Sequence, residues 1–166
     1  MGHLDELDKI IESRENGNLR VVYVGESGRV KYRILNNHCF GNVDVSALRR
    51  SIAKYVFKYE VRKEKCNNKN AKFLINPLYE LEITKYVLSG FWKVIFIDDR
   101  KEAKDFQYFL INKLKPLLNR MGGIYDTSNE KIYKKWFESL ENAPLLSYKE
   151  ILELECGTGV YVFYHE

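Results

Sequence analysis

The chain has 166 residues, 45% of them hydrophobic and 30% charged, with a formal net charge of +4 at pH 7, values typical of a single globular domain. No apolar run reaches the ~20 residues of a transmembrane helix, and the acidic residues within residues 1–11 argue against a signal peptide. The three cysteines form no CxxC pair, which argues against a disulfide framework or a zinc site and favours a reducing cytoplasm.

The first part of the chain alternates between helical and strand patterns. Hydrophobic spacing predicts a short amphipathic helix over residues 4–13, a turn at 16–18 and a strand over 19–24. A short helix is predicted around residues 29–37. Ser46 is expected to cap a further helix with an apolar stripe formed by Leu48, Ile52, Tyr55, Val56 and Tyr59. The opposite face of that helix carries four basic residues: Arg49, Arg50, Lys54 and Lys58.

The second part begins with an Asn-rich stretch, residues 60–75, which is predicted to form an exposed loop. A helix is then predicted from Asn76-Pro77 to Gly90, because asparagine caps a helix and proline suits its first position. A strand over 92–97 and a helix from about Arg100 to Lys115 follow, and the chain finishes on a strand over 159–164. Capping pairs mark three helix starts: Asp99 with Glu102, Thr127 with Glu130, and Ser147 with Glu150.

The basic residues are unevenly distributed. Seven of them lie in one early stretch with few acids: Arg29, Lys31, Arg33, Arg49, Arg50, Lys54 and Lys58. By contrast, residues 138–155 are rich in acids. This distribution fits a polyanionic partner, although a solvated surface explains most basic stretches equally well.

One combination of residues indicates a particular chemistry. The strand that ends in Tyr23-Val24-Gly25 is followed by Arg33 and His38. This arrangement resembles the GIY-YIG nuclease superfamily, whose second motif (YIG or YVG) ends a hairpin strand and leads into a helix with an arginine and often a histidine. Asn37 is the alternative to His38 at helical spacing. Downstream, residues 102–119 are similar to the metal-site helix of the family and its closing proline and asparagine.

The resemblance implies a metal-dependent DNA endonuclease that uses magnesium or manganese. In this family a motif tyrosine or the histidine activates water, the arginine stabilises developing charge, and one glutamate holds the metal. These chemical roles suit the residue types, because arginine is permanently charged and magnesium keeps most of its waters when bound to protein. The residues then expected to contact nucleic acid are Arg29, Lys31, Arg49, Arg50 and Asn119.

The order of the motifs departs from the family. GIY should precede YIG by about ten residues, yet the best candidate, Gly159-Val160-Tyr161, lies in the last strand. Joined tail to head, the two segments read as a hairpin with an Asn-Gly turn, so the chain looks circularly permuted, with Tyr161 as the GIY tyrosine. A strand swap between the subunits of a homodimer and an unrelated last strand are the alternatives. A literal GIY at Gly123-Ile124-Tyr125 is rejected, because it runs into a helix cap.

The second departure is chemical. The position of the family glutamate, twelve residues before Asn119, is occupied by Gln107. A neutral amide is a poor magnesium ligand, so the chain is expected to be impaired or silent in cleavage. The explanations considered are a deliberate inactivating change, which is favoured, a natural binding version, and replacement by Glu102 or Asp105. On a helix, Glu102 lies more than one turn away and Asp105 points elsewhere, so neither substitutes easily.

The predicted fold is α/β, with a small, mainly antiparallel sheet of about three strands flanked by helices. Residues 1–166 are expected to form one domain, whose first hairpin strand is 159–164 and in which 121–156 is a helical elaboration. The predicted partner is DNA, with no membrane association. The rival functions are a non-cleaving DNA-binding module and a protein-interaction domain on the same fold.

Overall fold

The structure is a computed structural model that describes residues 19–65, 71–119 and 122–166. The helix predicted over residues 4–13 and the turn predicted at 16–18 lie outside this range. The strands are β1 Arg20–Ser27, β2 Arg62–Lys65, β3 Ala71–Leu74, β4 Phe91–Phe96 and β5 Gly159–His165. The α-helices are α1 Val30–Tyr32, α2 Ala47–Ser51, α3 Pro77–Leu88, α4 Arg100–Leu114, α5 Glu130–Glu141 and α6 Tyr148–Ile151. Two π-helical segments, π1 Arg33–Cys39 and π2 Ile52–Val56, continue α1 and α2 respectively.

The main sheet has three antiparallel strands in the order β1-β5-β4, so the last strand of the chain lies at the centre. Arg20 pairs with His165 and Gly25 with Tyr161, and a bulge interrupts the ladder near Tyr23. These strands pair within one chain, as expected from the joined sequence of the two segments. The predicted α/β class with a three-stranded antiparallel sheet is confirmed.

Helices cover both faces of this sheet. Tyr23, Tyr161 and Phe163 belong to a core with side chains from π1, α2 and α3, and we call this side the pocket face. Their neighbours Val24, Val160 and Val162 belong to a second core with α4 and α5. This division follows from the alternation of side chains along a strand. It places the predicted tyrosines on one face and the helix of Gln107 on the other.

The outer edge of β1 is covered by the chain that follows α4. Lys115 adopts a left-handed conformation (φ 46°) and Pro116 follows it, which ends the helix. The chain then turns back, so that the Leu118 N–H donates to the Val22 carbonyl at 2.9 Å. The side-chain amide of Asn119 bonds both the N–H and the carbonyl of Val24, at 2.8 and 2.9 Å. The side chain of Asn119 thus forms the two hydrogen bonds that a neighbouring strand would otherwise form with Val24.

Local capping signals give most of the helix boundaries. Ser46, Asn76 and Asp99 each accept a backbone N–H at the start of their helix, and Ser147 forms the full capping box with Glu150. The cap predicted at Thr127 is wrong. Asp126 accepts the Ser128 N–H instead, and a short 3-10 turn, Thr127–Asn129, precedes α5. Aspartate is a strong capping residue, and here it stands one position earlier.

Two larger expectations need correction. The loop predicted over residues 60–75 contains the antiparallel hairpin β2–β3. The expected apolar stripe after Ser46 is also incomplete, since Tyr55 and Val56 are exposed. The π-helical geometry of π2 accounts for this, because it changes the angle between successive residues and rotates the buried face. The segment Gly123-Ile124-Tyr125 forms no strand, as predicted. Within the described part of the chain, no helix is long and apolar enough to cross a membrane.

Candidate active site

Two tyrosines and a histidine form the centre of the pocket face. The ring centroids of Tyr23 and Tyr161 lie 6.5 Å apart, and the Tyr23 ring meets His38 edge-on at 5.8 Å. His38 Nε2 is 2.7 Å from the Tyr161 hydroxyl, while its Nδ1 is 2.7 Å from Ser46 Oγ. The Trp92 indole stacks on the imidazole at a centroid distance of 6.1 Å. The pairing of β1 with β5 therefore brings both tyrosines into one pocket, as predicted.

Gly25 provides the space for the Tyr161 ring. The two residues face each other across the ladder. A Cβ atom at Gly25 would lie 2.3 Å from both Cζ and the hydroxyl oxygen of Tyr161, far inside van der Waals contact. The pocket therefore requires glycine at position 25, because a larger residue would collide with the Tyr161 ring. Its backbone is not in the left-handed region, so the requirement is one of space and not of conformation.

The π-helical segment decides which residue after Arg33 enters the pocket. At α-helical spacing Asn37 would follow Arg33 on the same face, but the wider turn of π1 buries His38 instead and leaves Asn37 half-exposed. Arg33 is also half-exposed, between the buried phenols and solvent. Its charge lowers the pKa of Tyr23 and Tyr161, although burial has the larger and opposite effect on both. Among the cations, Arg33 thus has the largest effect on the pKa of each tyrosine.

Burial sets the resting protonation states of the pocket. It holds the pKa of His38 well below its ordinary value, and the charges of Arg33 and Arg49 add to this effect. Burial also raises the pKa of Tyr161 well above the usual range, helped by Tyr23. At neutral pH the imidazole is therefore uncharged and the phenol keeps its proton. An uncharged histidine has one donating and one accepting nitrogen, which suits a proton path between Ser46 and Tyr161.

Gln107 lies on the other side of β1 and is half-buried on α4. Its Nε2 atom donates a long hydrogen bond of 3.5 Å to the Val24 carbonyl. The same carbonyl accepts from Asn119, so both family positions meet at the residue that follows Tyr23. Gln107 and Asn119, which have the family's separation of twelve residues, therefore donate to the same carbonyl. The amide of Gln107 thus contacts the residue next to Tyr23 but brings no charge.

The side chains near Gln107 fit a divalent cation poorly. Among the described residues, no group of three or more His, Cys, Asp or Glu side chains could hold a metal ion. Glu26, mostly buried, forms an ion pair with Arg100 at 3.4 Å. Asp105 accepts from the Asp126 N–H and the Tyr133 hydroxyl, and Glu102 is exposed. That neither Glu102 nor Asp105 replaces the family glutamate stays a prediction.

Arg49 requires a correction. It is fully buried (0% exposed) and was predicted to contact nucleic acid. Its guanidinium pairs with the Glu80 carboxylate at 2.6 Å and donates to the carbonyls of His38 and Cys39, each at 3.1 Å. A guanidinium with these partners is not available to a phosphate. Arg49 instead holds the end of π1 and so positions His38.

The other predicted nucleic-acid contacts have different surroundings. Arg29 is exposed and lies over the Tyr32 ring at 4.2 Å, and Lys31 is half-exposed. Arg50 is half-exposed and donates to the carbonyls of Val43 and Asp44. Both polar atoms of the Asn119 amide are occupied by β1. Contacts of Arg29, Lys31, Arg50 and Asn119 with nucleic acid stay predictions.

Sequence reasoning missed three residues of the site. Ser46 was identified as a helix cap but not as the partner of His38, and Trp92 was assigned only to a strand. Glu80 was not singled out, although its carboxylate also accepts the Val43 N–H at 2.8 Å. Each acts through a contact that depends on how distant elements pack. For Ser46 the available sequence signal was its short separation of eight residues from His38.

Comparison with protein-family models matches residues 3–142 to the model described as the GIY-YIG catalytic domain. The matched range contains Tyr23, Arg33, His38 and Gln107, and it ends before β5. Neither the search of curated proteins nor that of solved structures found a match.

Proposed function

The chain belongs to the GIY-YIG catalytic domain family, and from this premise we propose that it is a DNA endonuclease domain whose cleavage is impaired or silenced by Gln107. The observation that carries the proposal is the meeting of Tyr23, His38, Tyr161 and Arg33 on the pocket face. Hydrolysis of a phosphodiester needs an activated water and a cation against the charge that develops on the phosphate. This pocket offers both groups.

Water activation is assigned to Tyr161 and His38. In the tautomer that this role requires, His38 Nδ1–H donates to Ser46 Oγ. The same Oγ also accepts the backbone N–H of Arg49. Nε2 then accepts the phenol proton of Tyr161 while the phenol oxygen takes a proton from the attacking water. Burial opposes a charged imidazole in the resting pocket. A bound phosphate, being negative, favours the imidazolium and reverses that preference.

Arg33 is assigned to the phosphate. Its guanidinium stays charged at every relevant pH and can fork onto two phosphate oxygens, which stabilises the transition state for hydrolysis. Tyr23 lies on the same side, and its hydroxyl is the alternative group for orienting the water. Arg50 adds positive charge near Tyr23. Together with the proposed phosphate contacts of Arg29 and Lys31, it is expected to make DNA affinity fall with salt.

Gln107 is assigned to the position that should anchor a magnesium or manganese ion. When bound, such an ion polarises the phosphate and lowers the energy of the transition state. Gln107 has the length of a glutamate side chain and lies beside the Val24 carbonyl, yet it lacks the charge that would hold the ion. We therefore expect Gln107 alone to impair cleavage and the rest of the pocket to be competent.

The last strand is assigned to the GIY motif, with Tyr161 as its tyrosine. The pairing of β5 with β1 and the fit of the Tyr161 ring over Gly25 support this assignment. It implies a circular permutation whose break falls between the two strands of the first hairpin. Residues 121–156, which carry α5 and α6, are then an elaboration between the metal-site helix and the GIY strand.

The test is plasmid nicking with magnesium or manganese. Gln107→Glu is expected to raise the nicking rate at least about 100-fold, because a metal ion contributes several kcal/mol to the transition state. Adding Arg33→Ala to that variant should abolish the gain. Asn112→Asp is the matched control, since it adds the same charge at an exposed position of α4. Strong metal-dependent nicking by the unaltered chain would show that another carboxylate holds the ion.

The second candidate function is a DNA-binding module without cleavage. Gln107 favours it, because the remaining pocket can bind a phosphate without hydrolysing it. DNA binding by the chain, combined with no nicking by Gln107→Glu on supercoiled, linear and branched substrates, would support this candidate. Absence of DNA binding would favour the third, a protein-interaction domain.

A further inference from the structure

The hairpin β2–β3 projects basic side chains from the pocket side of the molecule. Its strands pair with Arg62 opposite Leu74 and Glu64 opposite Lys72. Every residue of β2 is exposed, whereas Phe73 of β3 packs against the core of the pocket face. Because side chains alternate along a strand, Arg62, Glu64 and Lys72 share the face that points away from Phe73. The family pocket does not account for this element.

The charge of this region is not neutralised within the described residues. Six exposed bases lie on or next to the hairpin: Lys54, Lys58, Arg62, Lys63, Lys65 and Lys72. Three acids accompany them there: Glu60 and Glu64, which are exposed, and Asp44, whose carboxylate accepts the Phe73 N–H. The charge of Arg49, by contrast, is neutralised by its ion pair with Glu80. None of the six bases forms an ion pair with a described residue, so their positive charge faces solvent.

Arg50 connects this hairpin with the catalytic pocket. Its guanidinium lies over the Phe73 ring of β3 at 4.2 Å, and the Phe73 N–H donates to the Asp44 carboxylate at 2.9 Å. On the other side, the charge of Arg50 is close enough to lower the pKa of Tyr23, against the larger effect of burial. A polyanion that reaches Arg33 and Tyr23 would therefore pass near the hairpin.

We propose that the hairpin β2–β3 is a docking element for duplex DNA. The hairpin enters the major groove beside the phosphate that the pocket holds. A major groove about 12 Å wide admits a two-stranded β-ribbon. Arg62 and Lys72, on the outward face, contact the phosphates that line the groove. The inference rests on the proposed function, because the pocket gives the duplex its position.

The experiment measures binding of a fluorescent DNA duplex to the full chain at several salt concentrations. The test variant is Arg62→Gln with Lys72→Gln, and the matched control is Lys131→Gln with Lys135→Gln. The control residues are exposed on α5, which packs against the opposite face of the sheet, and both changes lower the net charge equally. Thermal unfolding of each variant checks that the fold is kept.

The hairpin variant is expected to bind the duplex at least about tenfold more weakly and to lower the slope of log affinity against log salt by roughly two, since each phosphate contact contributes roughly 0.9. The control should match the unaltered chain. Equal affinity of the hairpin variant and the unaltered chain, or an equal loss in the control, overturns the proposal. So does a loss confined to single-stranded DNA or to duplex RNA.

The two proposals fail in distinguishable ways. The hairpin substitutions can be added to Gln107→Glu and nicking measured at low and high salt. If the nicking rate does not change, the docking element is overturned and the nuclease assignment stays intact. No binding of the unaltered chain to duplex DNA would overturn both.

Discussion

At the scale of single residues, Gly25 shows how one position controls the pocket. Tyr161 is held from two sides, because His38 bonds its hydroxyl and Trp92 packs on its ring at 5.9 Å. The ring therefore cannot move aside to admit a methyl group at Gly25, as a flexible surface side chain could. A larger residue at position 25 would therefore displace the Tyr161 ring and disturb its hydrogen bond with His38.

Replacing Gly25 with alanine should destabilise the protein by about 1–3 kcal/mol, the usual cost of overpacking a core. Gly28→Ala is the control, because a Cβ there would meet its nearest atom, of the Arg100 side chain, at an ordinary 3.6 Å. Urea unfolding of both variants measures the difference. Equal free energies of unfolding for Gly25→Ala and the unaltered chain would show that the Tyr161 ring is not confined as described.

His38 should make the free energy of unfolding depend on pH in the acid range. Burial lowers the pKa of His38 in the folded state, whereas the unfolded chain binds the proton near the ordinary pKa of about 6.5. The stability from a neutral His38 is therefore fully present above about pH 6.5. It is lost as the pH falls from there towards the lowered pKa, at up to about 1.4 kcal/mol per pH unit.

Two measurements check this behaviour. In an NMR titration of the folded chain, the His38 ring should keep its neutral chemical shifts between about pH 7.5 and 5.5. The slope of unfolding free energy against pH should fall in His38→Asn. It should fall less in His165→Asn, because burial lowers the pKa of His165 less than that of His38. Titration of His38 near pH 6.5 would contradict the buried, neutral state.

At the scale of secondary-structure elements, local signals were sufficient where the responsible residues are close in sequence. Ser46, Asn76 and Asp99 cap their helices through bonds to residues two or three positions ahead. The strands β1, β4 and β5 have continuous hydrophobic and β-branched sequences. These features predicted the class of the fold, whereas the resemblance to the GIY-YIG motifs predicted the meeting of Tyr23 with Tyr161.

The failures at this scale came from interactions between distant residues. Arg49 was placed on a solvent-exposed helix face, but its partner Glu80 stands on α3, and no helical pattern near Arg49 reveals it. The hairpin β2–β3 was read as a loop because its exposed, charged strands carry no alternation of apolar residues. Likewise, nothing in residues 33–39 announced a π-helix, so His38 and Asn37 could not be separated from spacing alone.

Asn119 should be essential to the edge of β1. Asn119→Ala removes both bonds to Val24 and leaves a strand edge without that partner, which is expected to cost about 1–3 kcal/mol. Hydrogen exchange of the Val24 amide should accelerate more than that of residues in β4. Asn112→Ala, which removes amide bonds to the Tyr108 and Gly123 carbonyls at an exposed position, is the control. Unchanged exchange at Val24 in Asn119→Ala would exclude the role of a substitute strand.

At the scale of the whole molecule, the central strand of the sheet comes from the end of the chain. β5 pairs with both β1 and β4, so the three-stranded sheet cannot form without it. The register places Arg20 beside His165, which brings the end of the chain close to the beginning of β1. A short turn could join them, and the sequence Asn16-Gly17-Asn18 has the residues that tight hairpin turns prefer.

The proposed circular permutation can therefore be tested by reversing it. A chain that runs from Met121 to Glu166 and continues directly from Asn16 to Arg120 would place a hairpin of β5 and β1 at its centre and open the connection after α4. This chain should fold cooperatively, with a free energy of unfolding within about 2 kcal/mol of an unpermuted chain of residues 16–166, because only loop entropy changes. A second permutant opened inside β4, between Val94 and Ile95, should fail to fold, since it cuts a strand paired with β5. Circular dichroism and urea unfolding distinguish the outcomes. If the first permutant is as unstable as the second, residues 16–18 do not close a hairpin, and the assignment of β5 as the displaced GIY strand loses its main support.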